Sequence, residues 1–488
     1  MKEEIVELTE DMSTSPLYSP DFAPVPAAQR TWNLWHVASI WVGMAVCIPT
    51  YMLASSLIGQ GMNWWQALFT ILLGNVIVLI PMVLNAHVGT KYGIPLPVFL
   101  RLNFGVDGAI IAALLRGLVA CGWFGIQTWI GGAAIYQLLL VIAPGLSGSA
   151  WLGDFIGLNI VQLGCFLFFW LINMYIVHRG IDSIKVLETW AAPFLLLIGI
   201  LLLSWAWLEV GSIRAILKAS YSLASAQEVH FWKIFWPGLT AMVGFWATLS
   251  LNIPDFTRYA KSQKDQILGQ VIGLPGTMVF YSFIGIAATS ATVIIFGEAI
   301  WDPVVLLSRF NNPLIVILSM LGLSIATLST NIAANVVAPA NSIANVAPKR
   351  ISFRTGGYIT GIIGILIFPW KLLADPHGYI FLWLIAYSAL LGALAGVMIC
   401  DYFIIRKTQL DLPELFKVDG KYKGWNMDAW KAFMLSILPV LPGFLETVGL
   451  VKSVGSFFMD LYSYAWFVTF LLSFAFYWVL KRRITIQE

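Results

Sequence analysis

Apolar runs long enough to cross about 30 Å of hydrocarbon follow one another along almost the whole chain. They fall near 33–58, 65–86, 106–142, 155–177, 187–208, 233–257, 268–297, 311–342, 355–371, 378–404, 427–448 and 459–480, twelve in all. The runs are continuously apolar rather than alternating, which selects helices over barrel strands. A water-soluble fold is excluded: 59% of the 488 residues are hydrophobic and only 11% charged, against roughly 45–50% and 25% in soluble domains. The longest hydrophilic connections, near 209–232 and 405–426, are too short to fold alone. This sets aside a tethered soluble enzyme and a receptor with a large outer domain. A carrier, a channel or an intramembrane enzyme remains.

Basic residues give the orientation. With both termini inside, the inner segments hold Lys2, Arg30, Lys91, Arg101, Arg179, Lys185, Arg258, Lys261, Lys264, Lys349, Arg350, Arg354 and the basic stretches at 406–423 and 481–483. The outer segments hold only Arg214, Lys218, Lys233, Arg309, Lys371 and Lys452. That asymmetry predicts cytoplasmic termini; a multi-pass protein of the cell (plasma or inner) membrane is expected. Residues 1–31 are acidic and contain Pro24 and Pro26. They lack the basic start and short apolar core of a signal peptide and read as a flexible cytoplasmic tail. A net charge of +3 gives no nucleic-acid footprint. Cys47, Cys121, Cys165 and Cys400 stand singly, so free thiols are expected. The bilayer and a small-molecule substrate are the partners implied; no obligate protein partner is evident.

Two spans carry conspicuous helix breakers. The first reads IWVGMAVCIPTYM, with Gly43 and Pro49, and the sixth WPGLTAMVGFWATLSLNIPDF, with Pro237, Gly238, Gly244 and Pro254. They lie five spans apart, and an odd-numbered repeat must insert its second copy upside down. Paired interruptions of this kind point to a secondary-transporter site, because freed backbone groups must face protein, water or ligand. Ordinary proline kinking is the plain alternative. The third span adds GWFGIQTWIGG, with Trp123 and Gln127 on one helix face, and the eighth STNIAANVVAPA, with Asn331 and Asn335 on another. Any one such amide can simply tie helices together.

Taken together these residues have a chemical meaning. Trp123 and Trp246 can stack on a planar ring. Gln127 and Asn335 each offer an acceptor and two donors, which suits the N–H and C=O edge of a cyclic amide or imide. Apart from Asp255 at the end of the sixth span, no carboxylate or guanidinium lies in these stretches. The expected substrate is small, flat and neutral.

The same stretches, with TWNLWHVASIWVGM, GTKYGIPLPVFLR, NIPDFTRYAKSQKDQILGQVIGLPG and GVMICDYFIIRK, resemble nucleobase–cation symport family 1, over nearly the whole chain after the tail. That family includes hydantoin, allantoin, uracil, cytosine and thiamine permeases. The resemblance implies an all-α, leucine-transporter-like fold: inverted five-helix repeats over 32–209 and 210–405, then two helices within 406–488. It implies alternating access, with Trp123 and Trp246 stacking on the substrate, Gln127 and Asn335 bonding its edge, and Cys47 where relatives carry an amide. It also implies a cation site from the Gly43, Val46 and Ala326 carbonyls and the Ser329 and Thr330 hydroxyls. Hard oxygen ligands suit Na⁺ as coupling ion; a proton would normally want a titratable group. No other cofactor is implied. Phe245 replaces a glycine of the hydantoin permease and is expected to narrow the pocket.

An amino-acid:sodium symporter on the same fold is the main rival, and would not need two aromatic plates with two amides. No repeated filter or charged ring suggests a channel. No catalytic pair suggests an enzyme, and His36 and His87, near membrane ends, read as interfacial.

Overall fold

The computed structural model describes residues 5–179, 182–226, 230–347 and 350–485. Lys2 and Lys349 lie outside them, as do the side chains of Lys185 and Arg483. The first span is two helices, α1 (Leu34–Ala45) and α2 (Ile48–Gly59), bent by 60° at Val46 and Cys47. The break lies beyond Gly43, which stays helical. Pro49 occupies the first turn of α2, where its missing N–H costs nothing, and Asn33 caps α1 in a box with His36. Next come α3 (Trp64–Tyr92), closed by left-handed Gly93, and the short α4 (Leu96–Phe104). The third expected span is realised end to end as α5 (Val106–Ile142), followed by α6 (Ile160–Arg179), α7 (Asp182–Val210) and the amphipathic α8 (Ile213–Ala226).

The sixth span corrects an expectation. α9 (Phe231–Asn252) runs unbroken through Pro237, Gly238 and Gly244, and yields only at Ile253, before α10 (Pro254–Thr257). Pro237 sits in the second turn, where one lost bond is tolerated. The glycines serve close packing: a Cβ on Gly238 would stand 2.9 Å from Leu57 Cδ2, and one on Gly244 2.7 Å from the Leu384 carbonyl. Pro254 cannot donate to the Ser250 carbonyl, and Asn85 Nδ2 does so instead at 2.8 Å.

The second half contains α11 (Gln263–Phe296), α12 (Pro303–Ser308), α13 (Pro313–Asn335) and α14 (Val337–Ala344). Pro339 has no N–H for the Asn335 carbonyl, and the helical path breaks at Val336. The ninth span is α15 (Phe353–Leu366), which turns at Phe368 (φ 54°) into α16 (Pro369–Leu372). The tenth combines π-helical Gly378–Ile385, α17 (Ala386–Ile399) and π-helical Cys400–Ile405. A bent pair, α18 (Met427–Ile437) and α19 (Leu441–Thr447), then α20 (Ser456–Ser463) and α21 (Ala465–Thr485), complete the chain. Among the described residues nine helices are long and apolar enough to span, or eleven counting each bent pair once; α15, fourteen residues long, matches the remaining expected span. α9 is the most buried of the spans, at 94%, so the molecule is built around it.

The tail is tied to the helix bundle by hydrogen bonds from Val6 onward. Arg30 is buried and donates to the carbonyls of Val6, Val25, Thr90 and Lys91 at 2.9–3.1 Å. Val25 N–H bonds the Gly93 carbonyl, and Phe22 is buried. One guanidinium thus satisfies carbonyls left open at the end of α3, a role that acidic composition did not reveal.

Candidate functional site

A cavity of about 50 Å³ lies where the α1–α2 break meets α5, α9 and α13. Met44, Cys47 and Pro49 line it from the break, Trp123 and Gln127 from α5, Phe245, Trp246, Thr248 and Leu249 from α9, and Ala334 and Asn335 from α13. All five residues expected to hold substrate therefore face one space. No carboxylate, amine, guanidinium or imidazole is among the lining residues.

The aromatic wall is an edge-to-face assembly. Phe245 meets Trp123 at 5.2 Å and 78°, and Trp246 at 5.0 Å and 83°. Trp41 supports Trp246 from behind at 5.3 Å and 84°, and Trp383 supports Trp123 at 5.8 Å and 76°. Phe245 thus stands against both indoles at the wall of the cavity. Cys47 Sγ lies 3.3 Å from Thr50 Oγ1, so the thiol already has a partner on its own helix.

The Asn335 side of the amide wall has a fixed polarity. Asn173 on α6 donates Nδ2 to the Phe169 carbonyl at 2.9 Å, which turns its Oδ1 toward Asn331. Asn331 Nδ2 lies within bonding distance of that Oδ1, the Phe124 carbonyl and Thr128 Oγ1 at 3.1–3.3 Å. With its amide nitrogen committed to acceptors, Asn331 can offer Asn335 only Oδ1, and Asn335 Nδ2 donates to it at 3.1 Å. Asn173 and Asn331 are each oriented by a main-chain carbonyl, which can only accept. Asn335 Oδ1 has no described donor and is left as the acceptor at the cavity. Thr330, also on α13, donates Oγ1–H across to Gln127 Oε1 on the facing helix α5 at 2.9 Å, leaving Gln127 Nε2 as the donor.

The expected cation ligands share one neighbourhood in part. α1, carrying Gly43 and Val46 at its last turn, packs against α13. Thr330 Oγ1 stands 3.2 Å from the Ala326 carbonyl. Ser329 Oγ is buried with no described partner. An all-oxygen set with one unsatisfied hydroxyl fits a hard monovalent cation. His36 bonds its own N-cap residue Asn33, and His87 bonds Tyr402 Oη at 2.9 Å; both are structural.

Met44, Thr248, Leu249 and Ala334 line the cavity without having been singled out in the sequence, and nothing in their local pattern marks them. Asn173 did leave a signal: a lone amide in the apolar run FFWLINMYIV.

With this geometry in hand, the chain can be set beside known proteins. The family model for permeases of cytosine/purines, uracil, thiamine and allantoin matches residues 24–469. The chain is 44% identical over 476 residues to the purine-uracil permease of Arabidopsis thaliana, covering 96% of this chain and 78% of that one. It is 42% identical over 475 residues to the allantoin permease of Bacillus subtilis (strain 168), covering 96% and 93%. Among solved structures, a nucleobase-cation-symport-1 family transporter in a closed conformation with bromovinylhydantoin bound superposes with a TM-score of 0.71 at 22% identity, covering 96% of each chain. At that identity the likeness speaks for the fold, and the fold is the leucine-transporter-like architecture expected from the sequence.

Proposed function

The chain belongs to the family of permeases for cytosine/purines, uracil, thiamine and allantoin, a family of transporters and not of catalysts, and from that premise we propose that it is a cation-coupled symporter importing a small, neutral, planar nucleobase or cyclic ureide such as uracil or allantoin. The supporting observation is the polarity of the cavity wall, with Gln127 Nε2 as donor and Asn335 Oδ1 as acceptor. That pair complements the adjacent C=O and N–H of a lactam or ureide, between indoles that can take its flat faces. The all-oxygen set of Gly43, Val46, Ala326, Ser329 and Thr330 favours sodium as the coupling ion over a proton. On this reading the protein resides in the cell membrane, and the Lys/Arg asymmetry favours both termini inside. An amino acid would bring a carboxylate and an ammonium to a cavity with no charged lining residue.

The test is uptake of labelled uracil and labelled allantoin in energised cells against a panel of unlabelled competitors. Neutral rings with a free lactam edge should compete. Analogues methylated at the ring N–H beside the carbonyl should not, because the Asn335 oxygen then meets carbon instead of a donor. Competition by amino acids, with silence from every nucleobase and ureide, would replace this reading with the amino-acid symporter.

A further inference from the structure

Resting on the cation-coupled reading, we propose that the Thr330 hydroxyl is the element through which the cation site controls the ring site, by orienting the Gln127 amide. A hydroxyl has one proton, and three acceptors surround this one. Gln127 Oε1 is 2.9 Å away, and the Ala326 and Thr327 carbonyls are each 3.2 Å away. Bonding back to the carbonyls three and four residues earlier is the ordinary habit of a helical threonine. Left to itself, Thr330 shares its proton between its own helix and Gln127.

The Gln127 side needs that proton more than the Asn335 side needs anything. Asn335 is held through Asn331 and Asn173 to main-chain carbonyls, a permanent anchor. Gln127 has Thr330 as its only described side-chain partner. The terminal torsion of a glutamine is broad and roughly two-fold, so without a donor at Oε1 the amide can present either its oxygen or its nitrogen to the cavity. Only the nitrogen suits a ligand carbonyl at that position.

Cation ligation removes the ambiguity. If the lone pairs of Thr330 Oγ1 and the Ala326 carbonyl are directed at a positive ion, the hydroxyl proton is repelled from that side. Gln127 Oε1, already the nearest acceptor, receives it. Gln127 then shows Nε2 to the ring, and the donor–acceptor pair is complete only in the loaded protein. Linkage makes the effect mutual: a ligand that accepts from Nε2 holds the proton on Gln127 and raises cation affinity by the same factor. Ser329, a ligand with no bond to Gln127, contributes to cation affinity but not to this link.

The experiment measures equilibrium binding of uracil and allantoin to the purified full-length protein, with saturating sodium or with choline. Sodium binding is read separately as thermal stabilisation without substrate. In the wild type, sodium should tighten binding of the transported ligand about tenfold, a usual size for such coupling. Thr330→Ser should keep that ratio. Thr330→Val, equal in shape but without a proton to give, should bring it close to one while sodium still stabilises the protein at higher concentration. Gln127→Leu, which removes the receiver and keeps the hydroxyl, should also bring it close to one. Ser329→Ala should need more sodium yet keep the wild-type ratio at saturation. A wild-type ratio in Thr330→Val or Gln127→Leu overturns the link, as does loss of the ratio in Ser329→Ala at saturating sodium. Absence of any sodium effect on the wild type, in binding and in stability, overturns the sodium reading itself and the link with it.

Discussion

Gln127 and Asn335 illustrate how a residue's role depends on what its other end holds. Each amide has one end engaged inside the protein, Gln127 by Thr330 and Asn335 by Asn331, and the engaged end sets the polarity left for a ligand. Removing one side of a buried hydrogen bond to a neutral group costs about 1–3 kcal/mol, roughly a tenfold to hundredfold loss of affinity. Gln127→Ala and Asn335→Ala should therefore nearly abolish uptake at micromolar substrate with little loss of folded protein. Trp246 is wedged edge-on between Trp41 and Phe245, so Trp246→Phe, which keeps an aromatic face, should do less harm than Trp246→Ala. The exposed amide Asn311 should be silent when changed to alanine. Measuring uptake beside the yield and melting temperature of each variant separates a ligand role from a packing one. Amides that only tie helices would lower yield and leave competition unchanged. Wild-type uptake by both Gln127→Ala and Asn335→Ala would remove the ring site.

Elements were legible where hydrophobic length decided them and less so where glycine and proline did. The span at 106–142 is α5 without adjustment, because a continuous apolar run has few ways to satisfy its backbone in lipid. The breakers in the first and sixth spans looked alike in sequence, yet only the first breaks the helix in mid-span. Whether a glycine unwinds a helix or lets a neighbour approach depends on what lies across from it, and that is a tertiary fact. Gly43 has nothing within 4 Å of its would-be Cβ, whereas one on Gly125 would overlap the Gly364 carbonyl of α15. Gly43→Ala should thus be tolerated: it keeps the main-chain carbonyl and removes a helix-interior glycine, a gain of about 0.5–1 kcal/mol. Gly125→Leu must force α5 and α15 apart, at a cost of about 1–3 kcal/mol. Thermal melts of both variants in detergent test the contrast, and a lower melting temperature for Gly43→Ala than for Gly125→Leu would show that the α5–α15 contact is not what Gly125 provides. The candidate site was similarly divided. Residues with distinctive chemistry, Trp123, Gln127 and Asn335, stood out in apolar helices, while Thr248 and Met44 reach the cavity only through the crossing of α1 and α9.

At the scale of the whole molecule, the contacts of the tail bear on topology independently of the Lys/Arg count. Arg30 is bonded to the end of α3, and Trp32 pairs with Ala260 just before α11. Ser15 donates to the Phe416 carbonyl, in the long connection before α18. That connection returns to the start of α5, where Val106 N–H bonds the Tyr422 carbonyl, and it leads into α18, whose Asp428 accepts from Lys481 near the end of α21 at 2.9 Å. The described start of the chain, the 406–426 connection and the last turns of α21 therefore meet at one end of the helix bundle. Two termini on one side require an even number of crossings, and the basic residues crowd this same end, which is the ground on which we propose that it is cytoplasmic. Reporters fused after residue 488 and before residue 1, one pair active only inside the cell and one only outside, should both give inside signal alone. Outside signal from both would invert the orientation and leave the even crossing number standing. Opposite signals from the two ends would break the tail's docking onto the α18–α21 end, and an odd crossing number would follow.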